Sequence, residues 1–508
     1  MKYPVVSSLR HKGKTIELDA TREIITLIGI NGDPMGNLSW DFVIDQILAY
    51  RKPPVSRESR TEPRVTLALG SPRVAVIRQR PEYSTALIDR SVADAMEALG
   101  LAWGDLVSPG QHVLLKPNMI RQSHSGRPHE WAQILTHGHV VSSVARAVAA
   151  AMRGEGRITI ADAPQTDSDF DAIAERMEIP ALFDRMAREF PRIHLSIVDL
   201  RREVWSTVDG IVVARKRMPD APEGYACVDL GAGSSLAGKT GSFYGADYDS
   251  GFTARHHSGG KHEYLVSRIA LDADLFVNLP KLKTHKKVGI TLSLKNLVGI
   301  NGDKNFLPHF SMGTPRSGGD ELPDDGIRSG LQARGIHAFK RVLNAAPSVG
   351  ALLGPAAKRI GTAVFGATEE VVRSGNWHGN DTAWRMVHDL NKILFHFDGA
   401  GERRNRALRY LSIADGIIAG EGNGPMEADA LPCGVLLAGT NPVAVDWTGA
   451  AIMGFDGKKI PMLREAFSPS PFPLTSFGPE SIEVVPELGT PFHFRPHFGW
   501  AGHIEADA

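Results

Sequence analysis

Short apolar runs closed by a polar or small residue alternate along most of this chain with longer stretches in which apolar side chains recur every third or fourth position. RVAVIR at 73–78, HVLL at 112–115, RITIA at 157–161, residues 194–198, LFVNL at 275–279, residues 410–418 and GVLLAG at 434–439 carry the first pattern and read as strands. Residues 83–99, 140–152, 170–190 and 442–453 carry the second and read as helices. This alternation predicts an α/β fold, with a largely parallel sheet and helices on both faces.

The flanks of that rhythm differ in kind. Residues 1–64 read as a small N-terminal α/β appendage and linker, with strand-like text at 15–18 and 23–30 and a helical period at 39–50. RKPPVSRESRTEPR, at 51–64, has the prolines and charges of a linker. The core is expected in two parts, 65–302 and 405–467, separated by a mostly helical insertion at 303–404 and followed by a C-terminal tail at 468–508 with a strand-like run at 481–485. Residues 200–262 break the βα rhythm and are expected to be an irregular excursion over the sheet. In the insertion, residues 382–397 set Trp384, Val387, Leu390, Leu394 and Phe397 on one helical stripe.

Composition narrows the partners. Lys+Arg 57 balances Asp+Glu 57, so there is no global drive toward nucleic acid, and anion binding must be local. Cys227 and Cys433 are the two cysteines; they exclude a self-contained iron–sulfur cluster and suit a reducing, cytoplasmic setting. The N-terminus does not read as a signal peptide, and no membrane span is expected: the Ala- and Gly-rich stretch 342–367 is broken by Pro347, Pro355, Lys358 and Arg359. It reads as a helical hairpin.

In open parallel sheets ligands bind beyond the carboxyl ends of the strands. Here those positions are Lys116 and Asn118 after HVLL, Asp162 after RITIA, Lys281, Lys283 and His285 after LFVNLP, Asp415 and Asn423 around and after 410–418, and Asn441 and Asp446 after GVLLAG. Lys295 and Asn296 follow the next apolar run. Lysines, amides and carboxylates at strand ends are what a site for an anionic substrate requires. Asp162, Asn441 and Asp415 could equally be turn formers or helix caps, whereas lysine neither caps a helix start nor favours a buried turn. The Gly-rich string 231–245 contains GKTGS, which is similar to a phosphate-binding loop, but the strand and helix such a loop needs are not expected around it. HEWAQILTHGH at 129–139 lacks zinc-protease spacing, which leaves a dispersed metal site of His and carboxylates as the metal reading.

KPN at 116–118, TH at 136–137, PKLKTH at 280–285, TLSLKNLVG at 291–299, ADGIIAGEGNGP at 414–425 and GTNPVAVDWTGAAIMGFD at 439–456 together resemble the domain of unknown function 362 family over most of 70–465. Some members of that family carry ferredoxin-type cysteine clusters; this chain lacks those cysteines, so the electron-transfer role does not carry over. A fainter similarity is to the nickel-pincer lactate racemases, whose site has a histidine, a glycine four later and a cofactor-bearing lysine ten after the histidine. His285, Gly289 and Lys295 reproduce that spacing, with Ser293 and Leu294 where the racemases are glycine-rich.

The expectation is an enzyme acting on a small anionic substrate. His285 and Lys295 would be catalytic, and Lys116, Asn118, Lys281, Lys283, Asn296 and Asn423 would bind substrate. Asp162, Asp415 and Asp446 would orient groups or hold a divalent metal. The alternative is a non-catalytic ligand-binding or assembly protein, in which Trp377 and Trp384 of the insertion anchor a protein partner or a second copy.

Overall fold

The computed structural model describes residues 8–11, 14–19, 24–28, 34–39 and 69–508, apart from 209–210, 240–241, 246–248, 324–371, 373 and 508. The chain divides into two compact units, Met1–Arg64 and Val65–Ala508.

In the first unit, β1 (Ser8–His11), β2 (Lys14–Asp19), β3 (Ile24–Ile28) and β4 (Pro34–Ser39) form an antiparallel sheet in chain order. The helix expected at 39–50 lies outside the described residues, except that Ser39 ends β4.

The second unit is built on a ten-stranded sheet. Its first strands are β5 (Arg73–Arg78), β6 (His112–Pro117), β7 (Glu155–Asp162) and β8 (Arg192–Asp199), with α1 (Thr85–Leu99), α2 (Gly138–Ala151), α3 (Phe170–Arg176) and α4 (Ile179–Glu189) between them. The single helix expected at 170–190 is two, because Glu178 between them adopts a left-handed φ of 54°.

Residues 200–262 are more regular than expected. β9 (Glu203–Val208) and β10 (Ile211–Arg217) make an antiparallel hairpin, β11 (Tyr225–Asp229) precedes the short β12 (Phe243–Tyr244), and β11 pairs with β13 (Glu263–Ser267). The Gly-rich string does meet the G-x-x-x-x-G-K-T spacing, at Gly233, Gly238, Lys239 and Thr240. Its surroundings are not those of a phosphate loop: β11 runs into a 3-10 turn at Gly231–Gly233, the next helix starts at Ser250, and the Lys239 ammonium is paired with Asp381 at 3.0 Å and Asp320 at 3.4 Å.

The chain then re-enters the sheet as β14 (Leu275–Leu279), crosses Pro280, and continues as β15 (Lys281–His285), which turns back through β16 (Gly289–Thr291) into α5 (Ser293–Asn296). After the short β17 (Phe310–Ser311) come α6 (Ala383–His396), β18 (Arg409–Asn423), β19 (Glu427–Gly439), α7 (Pro442–Met453) and β20 (Glu483–Val485). Across the sheet the order is β20-β5-β19-β18-β14-β6-β7-β8, parallel except where β19 meets β5 and β18.

Alternation along each strand divides the core in two. Val113, Leu115, Val277, Leu411 and Leu436 face one side, with Ile88, Val92, Val144 and Val148 of α1 and α2. Leu114, Phe276, Tyr410 and Leu437 face the other, with Leu390 and Leu394 of α6 and Val443 of α7. Helices therefore cover both faces. In α6 every residue but Arg385 is buried, so this part of the expected insertion is a core helix, and the stripe around Leu390 packs under the sheet. Trp377 and Trp384 are 8% and 7% exposed, and their indole N–H groups donate to the Asp320 carbonyl and the Asp381 carboxylate. They are internal packing residues and do not present an interface. The stretch 342–367 lies outside the described residues.

Leu411 is fully buried in the centre of the sheet. Leu411→Ala should lower stability by about 2–5 kcal/mol, read as a lower urea midpoint at unchanged m-value.

Candidate functional site

The carboxyl ends of β6, β7 and β14 lie side by side, and the residues there belong to one hydrogen-bonded group. Lys116, the penultimate residue of β6, is fully buried; its ammonium lies 2.8 Å from the Asp162 carboxylate at the end of β7 and donates to the Pro117 carbonyl and to Asn296 Oδ1 at 3.2 Å. Asp162 also accepts the Met119 N–H at 2.7 Å. Burial pulls the Lys116 ammonium down and the nearby carboxylate opposes it. Gly299 is there because nothing larger fits: a Cβ would sit 1.7 Å from Asp162 Oδ1 and 2.8 Å from Lys116 Nζ.

Lys281 and Lys283 were expected just after the strand LFVNL, at its carboxyl end. They lie instead on β15, fully buried, because that strand pairs with β18 and extends the sheet past Pro280. The two have different partners. Lys281 is paired with Asp415 at 2.8 Å and donates to the Tyr83 hydroxyl at 2.8 Å. Lys283 donates to the Ile134 carbonyl at 2.6 Å and to Asn118 Oδ1 at 3.3 Å, and neither acceptor is charged. Burial first, then Lys281 and Lys295, hold the Lys283 ammonium well below the ordinary lysine range.

The short helix α5 carries Lys295 and Asn296, and its position is set from behind. Asp446 of α7 accepts the Ser293 and Leu294 N–H groups at 2.7 and 2.9 Å, and burial pushes its carboxyl up to about 7. Asn296 donates to the Lys116 carbonyl and to Asn278 Oδ1. Lys295 is partly buried, and among the described residues its ammonium has no hydrogen-bond acceptor and no ion-pair partner. Burial and then the Lys116 charge draw it down to about 8.

His285 accepts the Lys287 N–H at Nδ1, 3.0 Å away, which places its proton on Nε2. Burial, then Lys295, Lys286 and Lys287, hold it well below the ordinary histidine range, so the ring is neutral and offers an N–H. Asn423 ends β18, beside the β15 hairpin, where Lys286 N–H donates to the Gly424 carbonyl and Thr284 to the Gly422 carbonyl.

The three aspartates offered as metal ligands do not converge. Asp162 holds Lys116, Asp446 caps α5, and Asp415 takes donors from Tyr83, Ile417, His137 and Lys281. Among the described residues no three His, Cys, Asp or Glu side chains gather as metal ligands. Asn441 is likewise structural, capping α7 through the Val443 and Ala444 N–H groups.

Two members of the site were not read from the sequence. Lys304, 8% exposed, donates to the Ala163 carbonyl at 2.7 Å, and burial lowers it to about 7 against the pull of Asp162. His309, drawn down to about 3 by burial, Lys287 and Lys295, donates from Nδ1 to the Leu307 carbonyl. The signal for Lys304 was its place in GDKN directly after the NLVGIN segment, but 303 had been taken as the start of an insertion.

Residues 221–451 match the family model described as domain of unknown function (DUF362). This stretch is similar to DUF362 domains. It contains β15, α5, Lys304, Asp415 and Asp446, whereas Lys116, Asn118 and Asp162 come from the βα units before it. The thylakoid-associated protein sll1697 of Synechocystis sp. is 24% identical over 391 residues, covering 77% of each chain. A crystal structure of a Thermotoga maritima protein aligns over 74% of this chain at 11% identity with a TM-score of 0.33, and the chain spans 60% of that protein's length. No helix among the described residues is long and apolar enough to cross a membrane.

Gly299→Ala forces the buried Lys116–Asp162 pair apart and should cost about 3–5 kcal/mol, the usual effect of breaking a buried pair. An unchanged urea midpoint would contradict the geometry.

Proposed function

We propose that the strand-end group of the DUF362-like region binds a small anionic molecule and acts on it as an enzyme. One observation carries this reading: among the described residues no carboxylate is bonded to Lys283, Lys295 or Lys304, which are buried or partly buried, while the carboxylate near them, Asp162, is engaged by Lys116. Buried cations without counter-charge are costly, and a bound anion would supply that charge. In this reading Lys283, Lys295 and Lys304 face the anion, and Lys116, Asn118 and Asn296 hold the lysines in register. His285 contributes an Nε2–H donor, which makes it a polarising group and not a base. Lys281 serves as the scaffold partner of Asp415. Two free cysteines support a reducing compartment.

Replacing Lys283 with methionine removes an uncompensated charge and keeps the apolar stem. Lys283→Met should leave the unliganded protein as stable as wild type or more so, while weakening binding of inorganic phosphate or oxalate about 10- to 100-fold by titration calorimetry, the scale of a charge-assisted hydrogen bond. A destabilised variant with unchanged affinity would show that the lysine is structural.

The lysines also set a pH dependence. Lys304 near 7 and Lys295 near 8 lie below the unfolded-chain value of about 10.4. Below pH 7 both are charged and burdened by burial; from about 7 to 10 the unfolded chain holds their protons more tightly, so their destabilising effect is relieved as pH rises. Anion binding favours the ammonium forms and runs the other way: affinity should fall as pH passes 7 to 8. Calorimetry in buffers of different ionisation enthalpy should show proton uptake on binding at pH 8.

A further inference from the structure

The lysines of the site are not equivalent. Lys116, Lys283 and Lys304 are buried, and each amine is tethered, to Asp162, Pro117 and Asn296, to Ile134 and Asn118, and to Ala163 respectively. An ammonium held this way keeps its hydrogens aimed at fixed acceptors and has no lone pair to offer. Lys295 is different in both respects: its amine has no acceptor among the described residues, and the residue is only partly buried. It stands on α5, which is held from behind by Asp446 and from the side by Asn296, so the backbone is fixed while the amine is free. Three tethered cations around one free amine would draw in an anion and disfavour protonation of that amine, an arrangement that activates lysine as a nucleophile.

We infer that Lys295 forms an imine with the carbonyl carbon of a small oxo acid whose carboxylate is held by the neighbouring lysines. This rests on the anion-binding reading above and extends it to a substrate class. The Lys295 nitrogen adds to the carbonyl carbon to give a carbinolamine. The former carbonyl oxygen then leaves as water, carrying one hydrogen from the amine and one proton from solvent, and a protonated carbon–nitrogen double bond remains. No electrons are transferred to or from the protein. The iminium is an electron sink next to the carboxylate, suited to proton or carbon–carbon bond chemistry at the adjacent carbon. The lowering of Lys295 to about 8 is consistent with an amine that is partly neutral in the physiological range.

The test uses the full chain with pyruvate as probe and sodium borohydride as trap, since hydride addition to the imine carbon fixes the adduct as a secondary amine. One saturable adduct that maps to Lys295, is suppressed by excess inorganic phosphate, forms faster at saturating pyruvate as pH rises through about 8 and is absent from Lys295→Arg protein is the expected result. Circular dichroism and the urea midpoint establish that the variant is folded. Labelling spread alike over surface lysines of both proteins, or no labelling at all, overturns the imine. The parallel measurement is the Tm of wild type with phosphate: a rise leaves the anion reading standing when the imine fails, and no rise overturns both.

Discussion

Placing lysine ammonium groups where water is excluded is the constraint around which the second unit is arranged. A fully buried lysine must be given acceptors in fixed positions or its charge is lost. Here those acceptors come from distant parts of the chain: a carboxylate from the end of β7 for Lys116, a carboxylate from the middle of β18 for Lys281, and carbonyls from Ile134 and Ala163 for Lys283 and Lys304. Each requires its strand to end in a particular register. The extension of β14 through Pro280 into β15 turns a strand exit into a second buried edge, which is why two lysines two positions apart face different partners.

The network separates two kinds of polar residue that resemble each other in sequence. Asp415 is saturated by donors from Tyr83, Ile417, His137 and Lys281 and balances a charge; Asp446 accepts the Ser293 and Leu294 N–H groups and orients a helix. Both are wholly buried. Asp446, buried against backbone and hydroxyl donors, is raised by burial to about 7. A carboxylate's surroundings decide its role here, and position at a strand end does not.

The layout of strands and helices was legible because both core faces leave their period in the text, as in VAVIR, VLL and the α7 sequence. Lys116, Asp162, Lys283 and Lys295 were each legible as strand-end candidates, but the order of the strands, and with it their convergence, was not. Nor were their partners. Nothing local in Ile134, Ala163 or Met119 marks them as backbone contributors, because carbonyl and N–H groups are the same at every residue. Lys304 and the core role of α6 were hidden by a break in rhythm that looked like a domain boundary, although the helix itself was legible at 382–397. The hairpin at 203–217 was hidden by charge: its exposed faces carry arginine and lysine, which mask a period of two.

Trp500 packs on the turn that joins β15 to β16: its ring is the nearest contact a side chain at Gly289 would meet, and its indole N–H donates to the Lys286 carbonyl. The order of synthesis gives this contact a further meaning. Lys116 emerges early, β15 and α5 in mid-chain, Asp446 later, and the cover over the β15 turn within the last residues of the sequence given. During translation Lys116 and Lys281 therefore pass through a period in which their carboxylate partners, Asp162 and Asp415, do not yet exist, whereas the acceptors of Lys283 and Lys304 are made before them. The setting of Lys295 draws on Lys116 before it and Asp446 after it, so a nascent chain presents it as an ordinary lysine and the folded one does not.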